Sequence, residues 1–219
     1  MIVVRHLFFT DRRDAGRRLS STVYTLLRDT PPSDIVVLGL PRGGVPVADE
    51  VARRLDAPLA VLVARKLGVP AEPELAVGAI AEAGARYIDD DLAARCGVTQ
   101  EMLDDVESRE RLRMADQCTR FGVGRRPSLH GRTAVIVDDG LATGATARAA
   151  CRAARSLGAA RVVLAVPGAP TDWRSRMAGE ADEFVCVGEE NVPAVGSWYA
   201  DFGQVSDAEV ASLLASPEC

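Results

Sequence analysis

The sequence predicts an α/β fold, with a mostly parallel, twisted sheet flanked by helices. Continuous apolar runs are typical of strands that are buried on both faces, as in a parallel sheet. Five such runs occur, at residues 34–40, 59–65, 133–139, 160–167 and 183–188. Helical patterns follow the first and third runs, at residues 45–56 and 143–158. Strands that alternate with helices in this way favour a doubly wound sheet.

The length and composition are those of one α/β domain. The chain has 219 residues, of which 47% are hydrophobic and 26% charged, and no linker divides it. We therefore expect a single domain over residues 1–219, with its core at about 30–190. The net charge of −5 gives no general attraction for nucleic acid or an anionic membrane, so we expect neither as a partner. A phosphorylated ligand would have to be bound by local geometry.

Two features bear on the cellular compartment. The apolar run near the N-terminus is too short to span a bilayer and no small-residue cleavage site follows it, so we expect a cytoplasmic protein. The five cysteines are scattered without a CxxC pair, and their odd number and wide spacing disfavour a disulfide framework or a zinc site. We expect them to be free thiols.

Two segments interrupt the alternation of strands and helices. Residues 66–88 carry Pro70, Pro73 and several glycines, which predicts a flexible loop followed by a short β-ribbon. Residues 99–120 have an apolar residue every three or four positions in a charged stretch, and Thr99 is suited to begin a helix. We expect an inserted amphipathic helix whose charged face is solvated.

The most informative stretch is AVIVDDGLATGAT, residues 134–146. A buried strand ends in Asp138 and Asp139, and a loop of small residues then leads into a helix. Ligands of α/β sheets bind at the carboxyl ends of the strands, and exposed backbone amides at a helix N-terminus favour phosphate. Thr143 and Thr146 add hydroxyl donors. We therefore predict a phosphate-binding loop here.

The adjacent carboxylates indicate what carries the phosphate. Asp138 and Asp139 can accept hydrogen bonds from sugar hydroxyls, and they can help to hold a divalent cation. Capping of the helix would need only one carboxylate and two would repel each other, so capping alone is disfavoured. The loop matches neither a Walker A motif nor a GxGxxG motif. A phosphorylated sugar is the ligand that this arrangement favours.

The stretch VIVDDGLATGAT resembles the signature of type I phosphoribosyltransferases, enzymes that use 5-phosphoribosyl-1-pyrophosphate (PRPP). The resemblance implies their fold, with a small hood formed by residues of about 189–205 and the N-terminal segment. It implies that Asp138 and Asp139 bind the ribose 2′ and 3′ hydroxyls. It also implies a 5′-phosphate loop, formed by Ala142, Thr143, Gly144, Ala145 and Thr146. Gly140 departs from the family pattern, which usually has an aliphatic residue there.

The family also predicts a second loop, for pyrophosphate, after the first strand of the core. The stretch GLPRGGVPVADEVARRL offers Arg42 as a planar fork of donors, and Gly43 and Gly44 for close approach of the backbone. The family often has a non-proline cis peptide bond here, which by position would join Pro41 and Arg42. The alternative is that these residues only form a turn from strand to helix.

Charged residues after the second predicted strand are further candidates. Arg65 and Lys66 end that strand, and the resemblance implies that Lys66 contacts pyrophosphate; the alternative is a solvated basic pair. The loop after Lys66 matches the family's flexible loop, which closes over the site and excludes water. Glu74 and Glu82 lie in or near this loop and are candidates for proton transfer, although exposed loop glutamates usually have no such role.

The C-terminal stretch VPAVGSWYADFGQVSDAEV resembles the hood of purine-type relatives. Trp198 and Tyr199 would stack on a flat, nucleobase-like acceptor, and Asp201 would bind a donor group on it. The alternative is that the aromatic rings pack the hood onto the core. The hood spacing differs from that of hypoxanthine-guanine enzymes, and Ala142 stands where those enzymes have a third acid. The sequence therefore does not identify the acceptor.

The resemblance extends over nearly the whole chain, to a bacterial group of phosphoribosyltransferases with unassigned substrates. We therefore expect a Mg²⁺-dependent phosphoribosyltransferase with Arg42, Lys66, Asp138 and Asp139 as its catalytic residues. The two aspartates are also the candidate metal ligands, mostly through water or substrate. The alternative is a non-catalytic regulator that binds PRPP or a nucleotide, which the negative net charge disfavours. Relatives are commonly dimers, so we expect a homodimer.

Overall fold

The computed structural model describes residues 8–70 and 72–215, except for the side chains of Pro73 and Glu74. The strands are β1 (Ile35–Gly39), β2 (Leu59–Val61), β3 (Ala64–Val69), β4 (Glu72–Ala81), β5 (Arg86–Ile88), β6 (Thr133–Val137), β7 (Arg161–Ala169) and β8 (Glu183–Glu189). The α-helices are α1 (Arg12–Leu27), α2 (Gly44–Leu55), α3 (Asp90–Arg95), α4 (Gln100–Arg120), α5 (Ala145–Ser156), α6 (Trp173–Arg176) and α7 (Asp207–Leu214). Short 3₁₀-helices lie at Pro32–Asp34, Val123–Arg125 and Val195–Trp198.

The central sheet has five parallel strands in the order β2-β1-β6-β7-β8. Every residue of β1 and β6 is buried, because these strands lie inside the sheet and helices cover both of its faces. Four of the predicted strands and both predicted helices are present within two residues of their predicted ends. The prediction of an α/β fold with a mostly parallel sheet is confirmed.

Side chains of the central strands alternate between the two faces of the sheet. Val37 and Val135 pack with residues of α1 and α2 on one face, and Leu38 and Ile136 pack with residues of α5 on the other. The buried face of α5 consists of six alanines and Cys151, and these small side chains let the helix lie close to the sheet. This packing fixes the N-terminus of α5 beside the carboxyl ends of β1 and β6.

Residues 64–88 form a second, antiparallel sheet in the order β3-β4-β5. The strand predicted at 59–65 is therefore wrong in its second half, since β2 ends at Val61 and β3 begins three residues later. The chain turns away from the central sheet at Val63. Its amide donates to Glu82 Oε1 at 2.7 Å, and its carbonyl accepts from the Glu82 amide at 3.2 Å.

The β-ribbon predicted within residues 66–88 is confirmed and is longer than expected, because β3, β4 and β5 occupy most of this segment. The flexibility of the loop stays a prediction. Residues 76–81 of β4 are all buried, and Leu67 of β3 and Ile80 of β4 are fully buried. These two side chains pack against Val106 of α4. On the other face, Ala79 and Ala81 pack in the main core, so the segment is a layer between the inserted helix and the core.

Helix α4 confirms the inserted helix predicted at 99–120. Thr99 caps it by accepting a hydrogen bond from the Met102 amide at 3.3 Å. Leu103 and Val106 are buried against the small sheet. None of the helices in the described part of the chain combines the length and the apolar character that a bilayer span requires.

The N-terminal segment pairs with the residues after β8 to form a hood. Phe9 makes a parallel bridge with Tyr199. The Phe9 amide donates to the Trp198 carbonyl at 2.7 Å, and the Phe9 carbonyl accepts from the Ala200 amide at 2.8 Å. The hood lies over the ends of β6 and β7, because the Trp198 ring lies against Gly140 and Gly168.

Gly140, where the sequence departs from the family pattern, has a packing role. A Cβ at Gly140 would lie 2.5 Å from Val195 Cγ1 and 2.9 Å from Trp198 Cζ3. A Cβ at Gly168 would lie 2.7 Å from Trp198 Cδ2 and Cε3. The hood therefore needs bare backbone at both positions in order to lie against the sheet.

We expect Gly168→Ala to lower the free energy of unfolding by about 1–3 kcal/mol, because the added methyl group meets the enclosed Trp198 ring. Gly124→Ala is the matched control, since a Cβ there meets nothing within 4 Å and should change stability by less than about 0.5 kcal/mol. Urea unfolding followed by tryptophan fluorescence measures both variants. Equal stability of the two would show that the hood does not need this glycine.

Candidate functional site

The acid pair and the second predicted loop meet at the carboxyl edge of the central sheet. β1 and β6 are adjacent and pair in register, with Gly39 opposite Val137. The amide of Leu40 continues this pairing by donating to the Val137 carbonyl at 2.9 Å. Residues 41–44 and residues 138–139 therefore leave the sheet side by side, as the strand order of a ligand-binding α/β sheet requires.

Gly43 and Gly44 allow the two loops to touch. A Cβ at Gly43 would lie 2.0 Å from Asp139 Oδ2. A Cβ at Gly44 would lie 2.6 Å from the Val137 carbonyl oxygen and 2.9 Å from Asp138 Cα. Any larger residue at either position would displace the acid pair or the loop. The peptide bond between Pro41 and Arg42 is cis, as the resemblance implies.

Arg12, at the start of α1, is the cation that pairs with the acid pair. Its Nε donates to Asp139 Oδ2 at 2.8 Å, and the two side chains are 12% and 15% exposed. Its Nη1 donates to the Gly203 carbonyl at 2.7 Å, and its Cζ lies 3.8 Å from the centroid of the Phe202 ring. Arg12 therefore links the N-terminal helix, the acid pair and the hood.

Our sequence reasoning overlooked Arg12 and Phe202. One signal was present for Arg12, which occupies the first turn of α1, where the positive end of the helix dipole disfavours a cation. An arginine in the first turn of a helix is stabilised by a nearby anion, and Asp139 supplies one here. No comparable signal marks Phe202, whose position follows from the hood contacts.

The two carboxylates of the acid pair differ in their surroundings. Burial, together with the neighbouring charge of Asp139, raises the pKa of Asp138 well above its ordinary value. Burial also raises the pKa of Asp139, although the Arg12 guanidinium opposes this rise. Asp138 Oδ1 accepts a hydrogen bond from the Asp139 amide at 2.9 Å. The ionised pair is therefore costly in the folded protein, and hydrogen-bond donors from a ligand would stabilise it.

The predicted phosphate loop has bare backbone amides at the start of α5. Gly144 has φ +83° and precedes the first residue of the helix, and Ala142 and Thr143 are exposed. Within the part of the chain that the structure describes, no group accepts a hydrogen bond from the amides of Thr143, Gly144 or Thr146. These amides and the helix dipole are suited to an anion.

The structure brings Arg65, and not Lys66, to Arg42. Arg42 and Arg65 line one cavity of about 450 Å³. Lys66 instead lines an adjoining cavity of about 430 Å³, into which Arg65 also extends. Side chains alternate along β3, so the two basic residues of the predicted pair point to opposite faces. Arg65 is thus a further candidate beside Arg42, and the contact of Lys66 with pyrophosphate stays a prediction.

Glu82 is a structural residue and not an exposed loop glutamate. It is 8% exposed and pairs with Arg126 at 2.9 Å, in addition to accepting from the Val63 amide. Arg126 also donates to the Val61 carbonyl at 3.1 Å. These bonds engage both oxygens of the carboxylate and leave it poorly placed for proton transfer. The side chain of Glu74, the other candidate, lies outside the described part of the structure.

The predicted acceptor residues of the hood are mostly engaged in packing. Trp198 is enclosed, and Tyr199 is 6% exposed and donates its hydroxyl to the Asp139 carbonyl at 2.5 Å. Asp201 is exposed and accepts from the Gly203 amide at 3.0 Å, which shapes the hood turn. Phe202, which is 37% exposed, is instead the hood ring nearest to Arg12. The packing alternative therefore describes Trp198 and Tyr199 better than stacking on an acceptor.

Comparison with known proteins identifies relatives over most of the chain. A family model described as phosphoribosyl transferase domain matches residues 11–186. Two Mycobacterium tuberculosis proteins, from strains CDC 1551 and H37Rv, are 52% identical over 208 residues and carry the provisional name phosphoribosyl transferase. The matches cover 94% of this chain. The chain spans about half the length of these relatives, at 46%.

Similar folds are also present among solved structures. The crystal structure of TT1426 from Thermus thermophilus is 39% identical, with a TM-score of 0.74 over 94% of this chain and 97% of that one. The AQ2163 protein from Aquifex aeolicus is 14% identical, with a TM-score of 0.54 over 94% of this chain and 85% of that one. The second likeness shows a shared fold alone.

The raised pKa of Asp138 predicts that this carboxylate destabilises the fold at neutral pH. Because its ionised form is disfavoured in the folded state, stability is lost as the pH rises from the ordinary carboxyl pKa of about 4 towards the raised pKa. Asp138→Asn removes the charge and keeps an oxygen for the Asp139 amide. We expect this variant to be more stable than the parent at pH 8, and equally stable near pH 4.

Free energies of unfolding in urea at the two pH values test this expectation. Asp29→Asn is the control, because Asp29 is 93% exposed and pairs with the exposed Arg28, so its effect should be small at both pH values. A loss of stability in Asp138→Asn at pH 8, or a gain of the same size at pH 4, would contradict the assigned electrostatics.

Proposed function

This chain belongs to the phosphoribosyl transferase domain family, and we propose that it transfers the phosphoribosyl group of PRPP to a nitrogen-bearing, nucleobase-like acceptor. One observation carries the proposal. The acid pair Asp138–Asp139 touches the Gly43–Gly44 backbone at the carboxyl edge of the sheet, with the bare amides of the α5 N-terminus following in the same chain segment. In PRPP the ribose lies between the 5′-phosphate and the pyrophosphate. In the site the acid pair likewise lies between the α5 amides, which would bind the 5′-phosphate, and the loop of Gly43 and Gly44, which would bind the pyrophosphate.

Each part of the site has a role in this proposal. The amides and hydroxyls of residues 142–146 bind the 5′-phosphate. Asp138 and Asp139 accept hydrogen bonds from the ribose hydroxyls, which also relieves the cost of their ionised state. Arg42 offers a planar fork to the pyrophosphate oxygens. The aspartates therefore position the ribose and do not attack it.

The reaction is a displacement at C1′ of the ribose. The acceptor nitrogen supplies an electron pair to form the new C1′–N bond, and the bond from C1′ to the pyrophosphate oxygen breaks. The electrons of that bond leave with pyrophosphate, and the acceptor nitrogen loses its proton to solvent or to a neighbouring base. Holding both groups at the sheet edge supplies proximity, which lowers the barrier without covalent participation of the protein.

A magnesium ion fits this site only as a metal shared with the substrate. Among the described residues, no group of three or more His, Cys, Asp or Glu side chains could hold a metal ion, whereas Mg²⁺ is commonly held by one or two carboxylates and substrate phosphates. Asp138 and Asp139 would be its protein ligands, directly or through water. When bound, Mg²⁺ would neutralise charge on the pyrophosphate leaving group.

The acceptor side of the site is formed by Arg12 and the hood. Phe202 is half-exposed and stacks on the Arg12 guanidinium, and Arg12 contacts Asp139 directly. We therefore propose Phe202, in place of Trp198, as the ring that an acceptor would meet. A homodimer, as the resemblance implies, is part of the same proposal.

Binding of PRPP is the direct test. We expect calorimetric titration of PRPP with Mg²⁺ to give a defined affinity for the native chain and for the Asp29→Asn control. Asp138→Asn/Asp139→Asn should weaken binding by about 100-fold or more, because two charge-assisted hydrogen-bond acceptors are lost. An unchanged affinity in the double variant would overturn the assignment of the acid pair.

Release of pyrophosphate then tests the transfer itself. The native chain is incubated with PRPP, Mg²⁺ and each member of a panel of nucleobases, and pyrophosphate is measured. Release that depends on one acceptor supports a transferase. Release without any acceptor indicates hydrolysis, and tight binding without turnover indicates a regulator; either result would contradict the proposed transfer.

A further inference from the structure

The charged face of the inserted helix α4 is not merely solvated. Arg113, Gln117 and Arg120 lie at positions i, i+4 and i+7 and form one stripe along the helix. This stripe lines the cavity of about 450 Å³ whose other walls include Arg42 and Arg65. The cavity lies within the size range of small-molecule sites. It begins at Arg42, the residue next to the Gly43 backbone that touches Asp139.

The cavity carries an excess of positive charge. Four guanidinium groups and two carboxylates, those of Asp116 and Asp207, line it. The four arginines are between 30% and 66% exposed, and each is in an ion pair. Because a guanidinium has five N–H donors, donors beyond these pairs are left for a ligand. Guanidinium forks match phosphate oxygens, often in pairs of parallel hydrogen bonds. A phosphate-bearing anion is the ligand class that this lining favours.

Anchored acids hold the arginines in place. Glu110, which is 9% exposed, pairs with Arg65 at 2.7 Å and with Arg113 at 2.6 Å. Asp207, the first residue of α7, pairs with Arg120 and lies 3.6 Å from Arg42. These pairs join the pyrophosphate loop, the small sheet, α4 and α7 around one cavity. The arrangement costs less conformational freedom on binding than unpaired arginines would.

The elements that carry these residues are themselves packed. The buried residues Val210 and Leu213 of α7 form a cluster with Val45, Val61 and Phe121, which fixes α7 against α2 and the end of α4. The cavity is thus a preformed site.

The length of the arginine stripe distinguishes between phosphate ligands. Arg113 and Arg120 are seven residues apart, which is about 10 Å along an α-helix. A monophosphate contacts one end of such a stripe, and an ion with several linked phosphoryl groups can contact both ends and Arg42. We propose that this cavity binds a linear polyphosphate of three or more phosphoryl groups, and that the bound chain competes with PRPP because both use Arg42.

The binding site itself rests on the cavity, and its competition with PRPP rests on the proposed function. A chain of three linked phosphoryl groups occurs in two kinds of ligand, an inorganic polyphosphate and a nucleoside triphosphate. Inorganic tripolyphosphate and ATP are therefore the probes, with inorganic phosphate as the short-chain comparison. ATP binding more tightly than tripolyphosphate would identify a nucleotide as the ligand, and equal or weaker binding would identify the inorganic chain; both support the site.

Calorimetric titration of the full chain tests the site. We expect tripolyphosphate to bind at least tenfold more tightly than phosphate, and Arg113→Gln/Arg120→Gln to lose about 100-fold in tripolyphosphate affinity. The control Arg95→Gln/Arg111→Gln removes the same charge from exposed positions outside the cavity and should stay within about threefold of the native chain. Equal losses in the two double variants would show a general charge effect and overturn the proposal.

A variant that retains charge guards against a folding artefact. Arg113→Lys/Arg120→Lys keeps both positive charges but removes the planar forks, so it should recover only part of the affinity. Full recovery would overturn the role of the forks. Unfolding curves of all variants establish that each is folded under the titration conditions.

Competition separates this proposal from the proposed function. Saturating tripolyphosphate should raise the apparent Kd for PRPP, and an unchanged Kd would overturn the shared use of Arg42. If the native chain binds PRPP but tripolyphosphate affinity does not depend on Arg113 and Arg120, the cavity proposal fails and the transferase proposal stands. If PRPP does not bind but tripolyphosphate binding depends on both arginines, the transferase proposal fails and the polyphosphate site stands.

Discussion

Close contact between two strand-end loops is the constraint on which the site depends. β1 and β6 are parallel neighbours in register, so the residues that follow them leave the sheet at the same edge. The loops can touch only because Gly43 and Gly44 have no side chains, since a Cβ at either would overlap the acid pair or the end of β6. One loop carries Arg42 and the other carries the aspartates and the phosphate loop. A single backbone contact therefore joins all the groups that PRPP would need.

That contact has an energetic cost, which other parts of the structure offset. Two neighbouring carboxylates are partly buried, and their raised pKa values record the cost of ionising them in the folded state. Arg12 supplies the opposing charge and also bonds to the Gly203 carbonyl, while Tyr199 donates to the Asp139 carbonyl. The hood is thus attached to the acid pair itself. Sites of this kind commonly give up stability for function.

Local patterns in the sequence predicted the central sheet and both loops of the candidate site. Buried strands and the motifs at their ends can be read from residues that are close together in the sequence. The errors concern contacts between distant residues. Glu82 was a plausible loop glutamate until Arg126, from a separate segment, was seen to pair with it. Arg65 lines the cavity that contains Arg42, which depends on the face of β3 that it occupies, because neighbouring residues of a strand lie on opposite faces. The charged face of α4 lines a cavity together with Arg42 and Arg65, which the chain brings together only on folding.

Binding of PRPP to Gly43→Ala tests the central claim most directly. Gly43 has φ −63° and ψ −34°, which alanine adopts without strain. The added methyl group therefore acts through its overlap with the Asp139 carboxylate and its close approach to Arg12 Nε, 3.2 Å away. We expect the variant to stay folded and to lose PRPP affinity by at least about tenfold, while Gly124→Ala binds as the native chain does. Equal PRPP affinities in the two variants would contradict the claim that the contact between the loops forms the donor site.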